Sequence, residues 1–176
     1  IKENNYLGKG IKLNSSLSLS GNKVKGIFQA TNPNFRNSDR SVSTTIESSS
    51  LDYMTLSGYK SSRTGFSLGS SYEQYDDLFL SPKVSTYYET IDTSSKASSS
   101  KKKQEGDYFE TLFSYGLTVN KLNQNFQPSE GFKSSFRQTL PIYSSDDITI
   151  EHYFDISRYY TYADDLVFSV KFYAEA

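Results

Sequence analysis

The residues of this chain whose types could carry out hydrolytic chemistry lie close together in the sequence. His152 is the only histidine, and Asp155 and Ser157 follow it, so the three residue types of a catalytic triad are present. All three fall in a stretch of alternating apolar and polar residues, which predicts a β-strand with successive side chains on opposite faces. Asp155 and Ser157 would then face away from His152. We therefore predict no catalytic residues and no enzyme.

Metal and cofactor chemistry finds equally little support in the sequence. The chain has no cysteine, and no cluster of further ligands surrounds its histidine. The pairs Asp76-Asp77, Asp146-Asp147 and Asp164-Asp165 lie in predicted turns, where aspartate bonds to the backbone, and none has the spacing of a calcium loop. Gly8-Lys9-Gly10 opens a predicted strand and lacks the third glycine of a dinucleotide motif. We predict no metal and no cofactor.

The charges of the chain give no reason to expect a nucleic-acid partner. The net charge is −1 and the isoelectric point is near 5.9, so no basic field attracts phosphate backbones. The densest positive run is Lys101, Lys102 and Lys103. It lies in the polar, low-complexity stretch 93–107, which predicts a long solvated loop. Such a run is either simply solvated or available to phosphate groups.

The elements that must position these residues are strands with two chemically different faces. In residues 11–20 the apolar side chains of Ile11, Leu13, Leu17 and Leu19 share one face, and polar side chains occupy the other. The same pattern predicts nine strand segments, at about 6–20, 23–32, 41–53, 59–74, 78–91, 108–121, 132–142, 147–160 and from 166 onward. Pro82 within the fifth segment predicts either an edge strand or a bulge. No helix is predicted.

Composition favours a transmembrane β-barrel over a soluble β-sandwich. Only 35% of the residues are hydrophobic, yet there are 15 Tyr and 12 Phe, and the mean hydropathy is −0.61. A barrel wall places lipid outside and polar residues inside, with aromatic girdles at both interfaces. We therefore predict an all-β fold, an antiparallel transmembrane β-barrel. The alternative is a soluble, tyrosine-rich surface protein.

Several motifs resemble the BamA family of outer-membrane protein assembly factors, which combine periplasmic POTRA domains with a barrel. Residues 5–11 (NYLGKGI) are similar to the entry into the first barrel strand, and residues 30–35 (ATNPNF) to the turn after the second. Residues 115–122 and 126–131 resemble the sixth strand and its following turn, and Leu140-Pro141 matches the end of the seventh. These motifs follow the order of the family and extend over nearly the whole chain.

The resemblance implies that residues 1–176 form a partial barrel domain, with about nine N-terminal strands of a probable sixteen. The POTRA domains, the V-R-G-F loop motif and the C-terminal strands do not occur in this sequence, so we expect the chain to be a fragment of a longer protein. The expected location is the outer membrane of a bacterial cell. The implied activity is the folding and insertion of β-barrel proteins into that membrane.

The resemblance also implies a binding site and partners. An incoming substrate strand would pair with the seam at the first strand, formed by Leu7, Gly8, Lys9, Gly10, Ile11, Lys12, Leu13, Asn14 and Ser15. Gly8 and Gly10 either weaken this seam or mark a bend where the chain enters the barrel. Expected partners are unfolded outer-membrane proteins, periplasmic chaperones, Bam-type lipoproteins bound to the absent POTRA domains, and outer-membrane lipids including lipopolysaccharide, which the lysine run could contact.

The less apolar face of the strands predicts a polar, water-filled lumen. The charged residues expected to face it are Lys12, Lys83, Glu89, Glu151, Asp155 and Lys171. A porin would use such residues for ion selectivity, whereas in an assembly factor they would shape the barrel. A porin or channel, a two-partner secretion transporter and an autotransporter assembly barrel therefore stay open as alternatives.

Overall fold

The computed structural model describes residues 1–145, 149–163 and 166–176. These residues form ten strands: β1 Lys2–Tyr6, β2 Ile11–Ser20, β3 Lys23–Asn32, β4 Ser41–Tyr53, β5 Tyr59–Tyr75, β6 Leu78–Thr93, β7 Gly106–Leu122, β8 Gly131–Ser144, β9 Glu151–Ala163 and β10 Leu166–Glu175. Helices α1 (Met54–Ser57) and α2 (Ser99–Lys103) and a 3₁₀ turn at Phe35–Asn37 lie in connections. Neither helix in this part of the chain is long and apolar enough to cross a membrane.

All ten strands belong to one antiparallel sheet in which each strand pairs with its neighbours in sequence. The interior ladders are long. Strand β4, for example, pairs with β5 without a register shift from Ser41–Ser71 to Tyr53–Tyr59. The prediction of an all-β, antiparallel architecture is confirmed, with one strand more than the nine expected.

The two faces of this sheet differ as the alternation predicts. Large apolar side chains such as Leu17, Phe66 and Val170 lie on one face with exposed fractions of 69%, 50% and 72%. The opposite face is concave and encloses an open cavity of about 900 Å³. The chain exposes 12433 Å², whereas a globular protein of 19.9 kDa exposes about 8,700 Å². The sheet therefore has no packed core of the globular kind.

The predicted first segment, 6–20, is wrong as one continuous strand. Residues 7–10 form a turn that separates β1 from β2, because Leu7, Gly8 and Gly10 adopt positive φ angles of 54°, 70° and 67°, which do not occur in a regular strand. The start of the eighth predicted segment, at residues 147 and 148, lies outside the described residues.

The predicted loop 93–107 is shorter than expected and contains a helix. Strand β6 continues to Thr93 and β7 begins at Gly106, so the connection comprises residues 94–105. Helix α2 forms within it because the side chain of Ser98 caps its first turn, accepting a hydrogen bond from the backbone N–H of Lys101 at 3.3 Å. Serine is a preferred residue at this position.

Pro82 lies in the interior of the sheet, contrary to the expectation of an edge strand or a bulge. It pairs with Tyr115 of β7. On its other side the ladder is interrupted between the pairs Gly69–Lys83 and Tyr72–Leu80, with no change of register. A proline has no backbone N–H to donate, and a side-chain hydrogen bond of 2.8 Å from Ser81 to Ser71 bridges the two strands at this gap.

Candidate functional site

The predicted seam begins with a tight turn that reverses the chain. The backbone N–H of Gly8 donates to the carbonyl of Asn5 at 3.0 Å, and that of Lys9 donates to the carbonyl of Tyr6 at 3.2 Å. The side chain of Asn5 closes the turn, since its Oδ1 accepts from the N–H of Gly10 at 2.7 Å. Residues 7–10 of the predicted seam are thus not available as an extended strand in this structure.

The two glycines allow the backbone conformation that the turn requires. A Cβ added to either Gly8 or Gly10 would meet no atom within 4 Å, so neither glycine makes room for a neighbour. Both have positive φ angles, which glycine adopts without steric cost. Of the two interpretations of Gly8 and Gly10, the structure shows the bend.

The remaining predicted seam residues, 11–15, lie in β2, and Leu13, Asn14 and Ser15 among them are paired on both sides. On one side the ladder with β3 runs from Lys12–Thr31 to Ser20–Lys23 without a shift. On the other side β1 folds back along β2, with Lys2 opposite Asn14 and Glu3 opposite Leu13. The edge expected to receive a substrate strand is therefore occupied here by the residues that precede it.

Strand β1 is not predicted by any alternation in the sequence. Its residues, KENNY, are polar on both faces, so the alternation that marks the other strands does not occur. A strand of this kind is held by main-chain hydrogen bonds alone, and such bonds leave no pattern in the side chains. The only available signal was the glycine pair that follows it.

A second candidate site is an ion-pair cluster on the concave face. Arg63 of β5 lies opposite Glu89 of β6, and its Nη1 is 3.1 Å from Glu89 Oε2. Its Nη2 binds Glu110 of β7, and Ser61 donates to Glu89 at 2.9 Å. Glu89 was predicted to face the lumen, but Arg63 and Glu110 were missed, because only the register brings them together.

Tyr87 supports this cluster from one side. The guanidinium of Arg63 lies 4.1 Å from the centre of the Tyr87 ring, a distance at which the ring face attracts a cation. The ring in turn covers Gly65, its direct neighbour across the ladder, and a Cβ on Gly65 would collide with ring atoms Cδ1 and Cε1. Gly65 thus provides the space in which Tyr87 lies.

We expect Gly65→Ala to destabilise the barrel by about 1 kcal/mol, near the lower end for overpacking, because the added methyl group displaces Tyr87 and with it the support of Arg63. The matched control is Gly26→Ala, since a Cβ there meets only Leu17 Cδ1, at 4.0 Å. Urea unfolding of the full-length protein in phospholipid vesicles measures both. Equal stability of the two variants would contradict the close packing at Gly65.

The other predicted lumen residues share the concave face with this cluster. Lys83, Glu151 and Asp155 line the 900 Å³ cavity, and Glu89 lines a neighbouring cavity of about 320 Å³ beside Arg63. Lys12 lies on the same face, because its partner Thr31 pairs in turn with Ser43 of the cavity wall. Lys171 does so too, because its partner Ser157 is two residues along the strand from Asp155. Much of the larger cavity wall consists of small hydroxyl residues, which leaves its interior wide and polar.

Comparison with known proteins identifies the family of this sheet. Residues 5–176 match the model of the Omp85 superfamily domain. The chain belongs to the Omp85 superfamily. No curated protein matches it.

The Omp85 chain is also similar in structure to a solved barrel. The crystal structure of BamA from Haemophilus ducreyi lacking POTRA domains 1–3 superimposes with a TM-score of 0.73 and 16% sequence identity. The match covers 97% of this chain and 37% of the BamA chain, so the sheet corresponds to part of a larger barrel. The predictions of a BamA-type barrel and of a bacterial outer-membrane location are confirmed.

Membership in the Omp85 superfamily assigns the convex, apolar face to lipid and the concave face to the lumen. His152 lies on the lipid side, where its ring is 6.4 Å from that of Phe136. Its Nδ1 is 3.3 Å from Gln138 Nε2, and Tyr115 donates to Gln138 Oε1 at 2.7 Å. Asp155 lies on the opposite face and lines the lumen cavity, as predicted. The histidine is thus part of a hydrogen-bonded group on the barrel wall.

The lysine run of the Omp85 chain is partly bound within its own loop. Lys101 Nζ donates to Gln104 Oε1 at 3.0 Å and lies 5.1 Å from the ring centre of Tyr59. Lys102 Nζ donates to the carbonyl of Ser95 at 3.0 Å. These contacts favour a role within the loop over binding of phosphate groups.

The acidic pairs were predicted to lie in turns. Asp76-Asp77 connects β5 to β6, with Asp77 at a positive φ of 65° and its N–H donating to Glu73 at 2.7 Å. The pairs Asp146-Asp147 and Asp164-Asp165 lie outside the described residues. Within the described ranges no three histidine, aspartate or glutamate side chains are grouped as a metal site would require.

Proposed function

We propose that this chain is the N-terminal part of a barrel that folds and inserts β-barrel proteins into the outer membrane. A substrate strand would pair with the outer edge of β2, at residues 11–15. The observation that carries the proposal is that this edge already binds a strand, β1, through its backbone. Glu3 and Lys2 lie opposite Leu13 and Asn14, yet β1 has no apolar pattern that the edge could recognise.

Binding through the backbone suits a factor that serves many substrates. An unpaired strand edge presents N–H and C=O groups that can form hydrogen bonds with the backbone of almost any extended chain. The free energy for insertion would come from the folding of the substrate itself, because each new ladder and each buried apolar face stabilises the product. No covalent or nucleotide chemistry is part of this proposal.

The partners follow from this role. We propose unfolded outer-membrane proteins as substrates, delivered by periplasmic chaperones, with outer-membrane lipids around the convex face. POTRA domains in the remainder of the protein would bind Bam-type lipoproteins. The barrel would have about sixteen strands, of which this chain supplies the first ones.

Disulfide cross-linking in the full-length protein tests the proposal. The N–H and C=O of Ser15 both point to the outer edge, since they bond to Ile1 at 2.8 Å and 2.7 Å. Leu13 shares this orientation, whereas Lys12 and Asn14 turn their backbone groups to β3. A substrate strand on the outer edge would lie closer to positions 12 and 14, whose backbone groups point away from it. In antiparallel sheets the Cα atoms of such non-hydrogen-bonded pairs are about 4.5 Å apart, compared with about 5.5 Å for hydrogen-bonded pairs.

Cysteines at positions 12 and 14 are therefore expected to cross-link to cysteines in the C-terminal strand of a substrate, and cysteines at 13 and 15 to cross-link poorly. The control positions are 25 and 27 on β3, a strand whose two edges are both paired. Cross-links of equal strength at all four β2 positions, or none, would contradict strand pairing at this edge.

The polar cavity of about 900 Å³ favours a second candidate, a channel. A porin would use Lys83, Arg137 and Asp155 on the cavity wall to select ions. Single-channel recording of the full-length protein separates the two functions: steady conductance without substrate cross-links supports the channel.

A further inference from the structure

We propose that Arg40 and Arg158 bind the phosphate groups of membrane phospholipids at one rim of the lipid-facing surface. The ligand is the headgroup of an anionic phospholipid in the bilayer that surrounds the convex face. The inference rests on the outer-membrane location of the barrel and not on the pairing of a substrate strand, so it holds for either function proposed above.

Three cations lie at the ends of strands, all at the end of the sheet that carries the turn 33–40. Arg40 directly precedes β4, and Lys121 is the penultimate residue of β7. Arg158 of β9 lies opposite Phe132, the second residue of β8. We call Arg40, Lys121 and Arg158 the cationic rim. A barrel wall leaves the hydrocarbon near the ends of its strands and meets the lipid headgroups there.

The register places Lys121 and Arg158 on the lipid side of the sheet. Lys121 pairs with Phe132, and Phe132 pairs in turn with Arg158. Arg158 then pairs with Val170, one of the exposed apolar residues of the convex face. Because directly paired residues share a face of the sheet, all four side chains lie on the convex face.

The guanidinium of Arg40 is held at the same rim by an aromatic ring. Its Cζ lies 5.0 Å from the ring centre of Tyr72, and Tyr72 shares the convex face with Phe66 because an even number of residues separates them along β5. The turn fixes the backbone of Arg40, since its carbonyl accepts from the N–H of Phe35 at 2.9 Å. Its own N–H donates to Ser38 Oγ at 3.3 Å. The stacked guanidinium keeps its N–H edge for the planar, bidentate contact that arginine makes with phosphate.

The protein itself does not neutralise the two arginines. Within the described ranges no ion pair includes Arg40 or Arg158, and Arg40 is not paired with Asp39 beside it. Lys121 is 4.0 Å from Asp77, and both side chains are more than half exposed. A cation at the edge of the hydrocarbon is stabilised by an anion at the same depth, and the headgroup region supplies phosphate.

The opposite end of the convex face carries a cation with a different environment. Lys60 of β5 shares this face with Phe66, again because of an even separation. It lies between two acidic residues, with Asp52 of β4 on one side and Asp92 of β6 on the other. The cation of this end thus has acidic neighbours, whereas the arginines of the cationic rim have aromatic and apolar ones.

Binding of phosphatidylglycerol by the full-length protein tests the proposal. Native mass spectrometry of the protein in a neutral detergent counts the bound lipid molecules as phosphatidylglycerol is added. We expect Arg40→Gln and Arg158→Gln each to raise the apparent Kd at one lipid position about fivefold, because each loses a charge-assisted contact with phosphate at an exposed site. Arg40→Lys keeps the charge without the planar fork, so its loss is expected to be smaller.

The matched control is Lys60→Gln, which removes a cation of the same face that already has acidic neighbours, and we expect unchanged lipid binding. The shift of the folded band in unheated electrophoresis samples verifies that each variant is folded. Equal binding by the unmodified protein and both arginine variants would overturn the proposal. Equal weakening by Lys60→Gln would do the same, since net charge alone would then govern binding.

Inorganic phosphate separates the two sources of the same chemical group. Added at the concentration of the lipid, it is expected to leave phosphatidylglycerol bound, because the acyl chains contact the apolar face beside Arg40 and Arg158. Displacement of the lipid by inorganic phosphate would mean that the arginines take up free anions, and would overturn the assignment to membrane lipid.

Discussion

Leu117→Arg is expected to destabilise the barrel by about 2–4 kcal/mol, the cost of an arginine on the lipid face near the bilayer centre. Leu117 lies in the interior of β7 on the convex face, between Leu80 and Phe136 on the adjacent strands. A guanidinium there loses its water and finds no carboxylate beside it among these neighbours. The substitution replaces a favourable contact with lipid by an unfavourable one.

The matched control is Thr118→Arg, one residue further along the same strand. Thr118 lines the lumen cavity, where an arginine stays hydrated and has room, so we expect a change of less than about 1 kcal/mol, as at other exposed sites. Urea unfolding in phospholipid vesicles, followed by the shift of the folded band in unheated electrophoresis samples, measures both variants. Equal losses would mean that the two faces have been assigned wrongly.

Arg63→Met is expected to cost about 2 kcal/mol, within the range for leaving partly buried charged partners unsatisfied. Methionine preserves much of the volume but removes the cation that binds Glu89 and Glu110. The two carboxylates then repel each other on neighbouring strands. Their side chains keep exposed fractions of 27% and 28%, so water screens part of this repulsion and the loss stays below that of a fully buried pair.

A double-mutant cycle isolates the ion pair. Combining Arg63→Met with Glu110→Gln is expected to cost less than the sum of the single changes, because the second change removes the stranded charge. Arg137→Met is the control: Arg137 also stacks on a tyrosine, Tyr153 at 5.8 Å, but takes part in none of the ion pairs found within the described residues. Additive effects in the cycle would show that Arg63 acts only through its contact with Tyr87.

Much of the fold could be predicted from the sequence because strand alternation is a local property. Ile11, Leu13, Leu17 and Leu19 mark one face of β2 whatever lies beside that strand, and the same holds for Phe168, Val170 and Phe172 of β10. The alternation also placed His152 and Asp155 on opposite faces, which excluded the triad. The resemblance of residues 5–11 and 115–131 to one family then indicated a barrel of the outer membrane.

The candidate sites were less predictable. Lys83, Glu89, Glu151 and Asp155 were predicted to face the lumen from their parity in the strands, and they line its cavities. The odd or even position of a residue in its strand does not determine which charged side chains contact each other. Arg63 contacts Glu89 and Glu110 only because β5, β6 and β7 pair in one register, and a shift of a single residue would turn Arg63 to the lipid.

By itself, the sequence determined the strands, their two faces and the kind of solvent each face meets, since these depend on residue type and a period of two. The tertiary structure alone decided what lies beside β2. Whether residues 1–6 extend away or fold back depends on the φ angles of Leu7, Gly8 and Gly10 and on backbone bonds to residues 11–15. Hydrogen bonds between main-chain groups are the same for every residue type, so the pairing of β1 with that edge leaves no pattern in the residues of β1, and the glycine pair that follows is its one signal in the sequence.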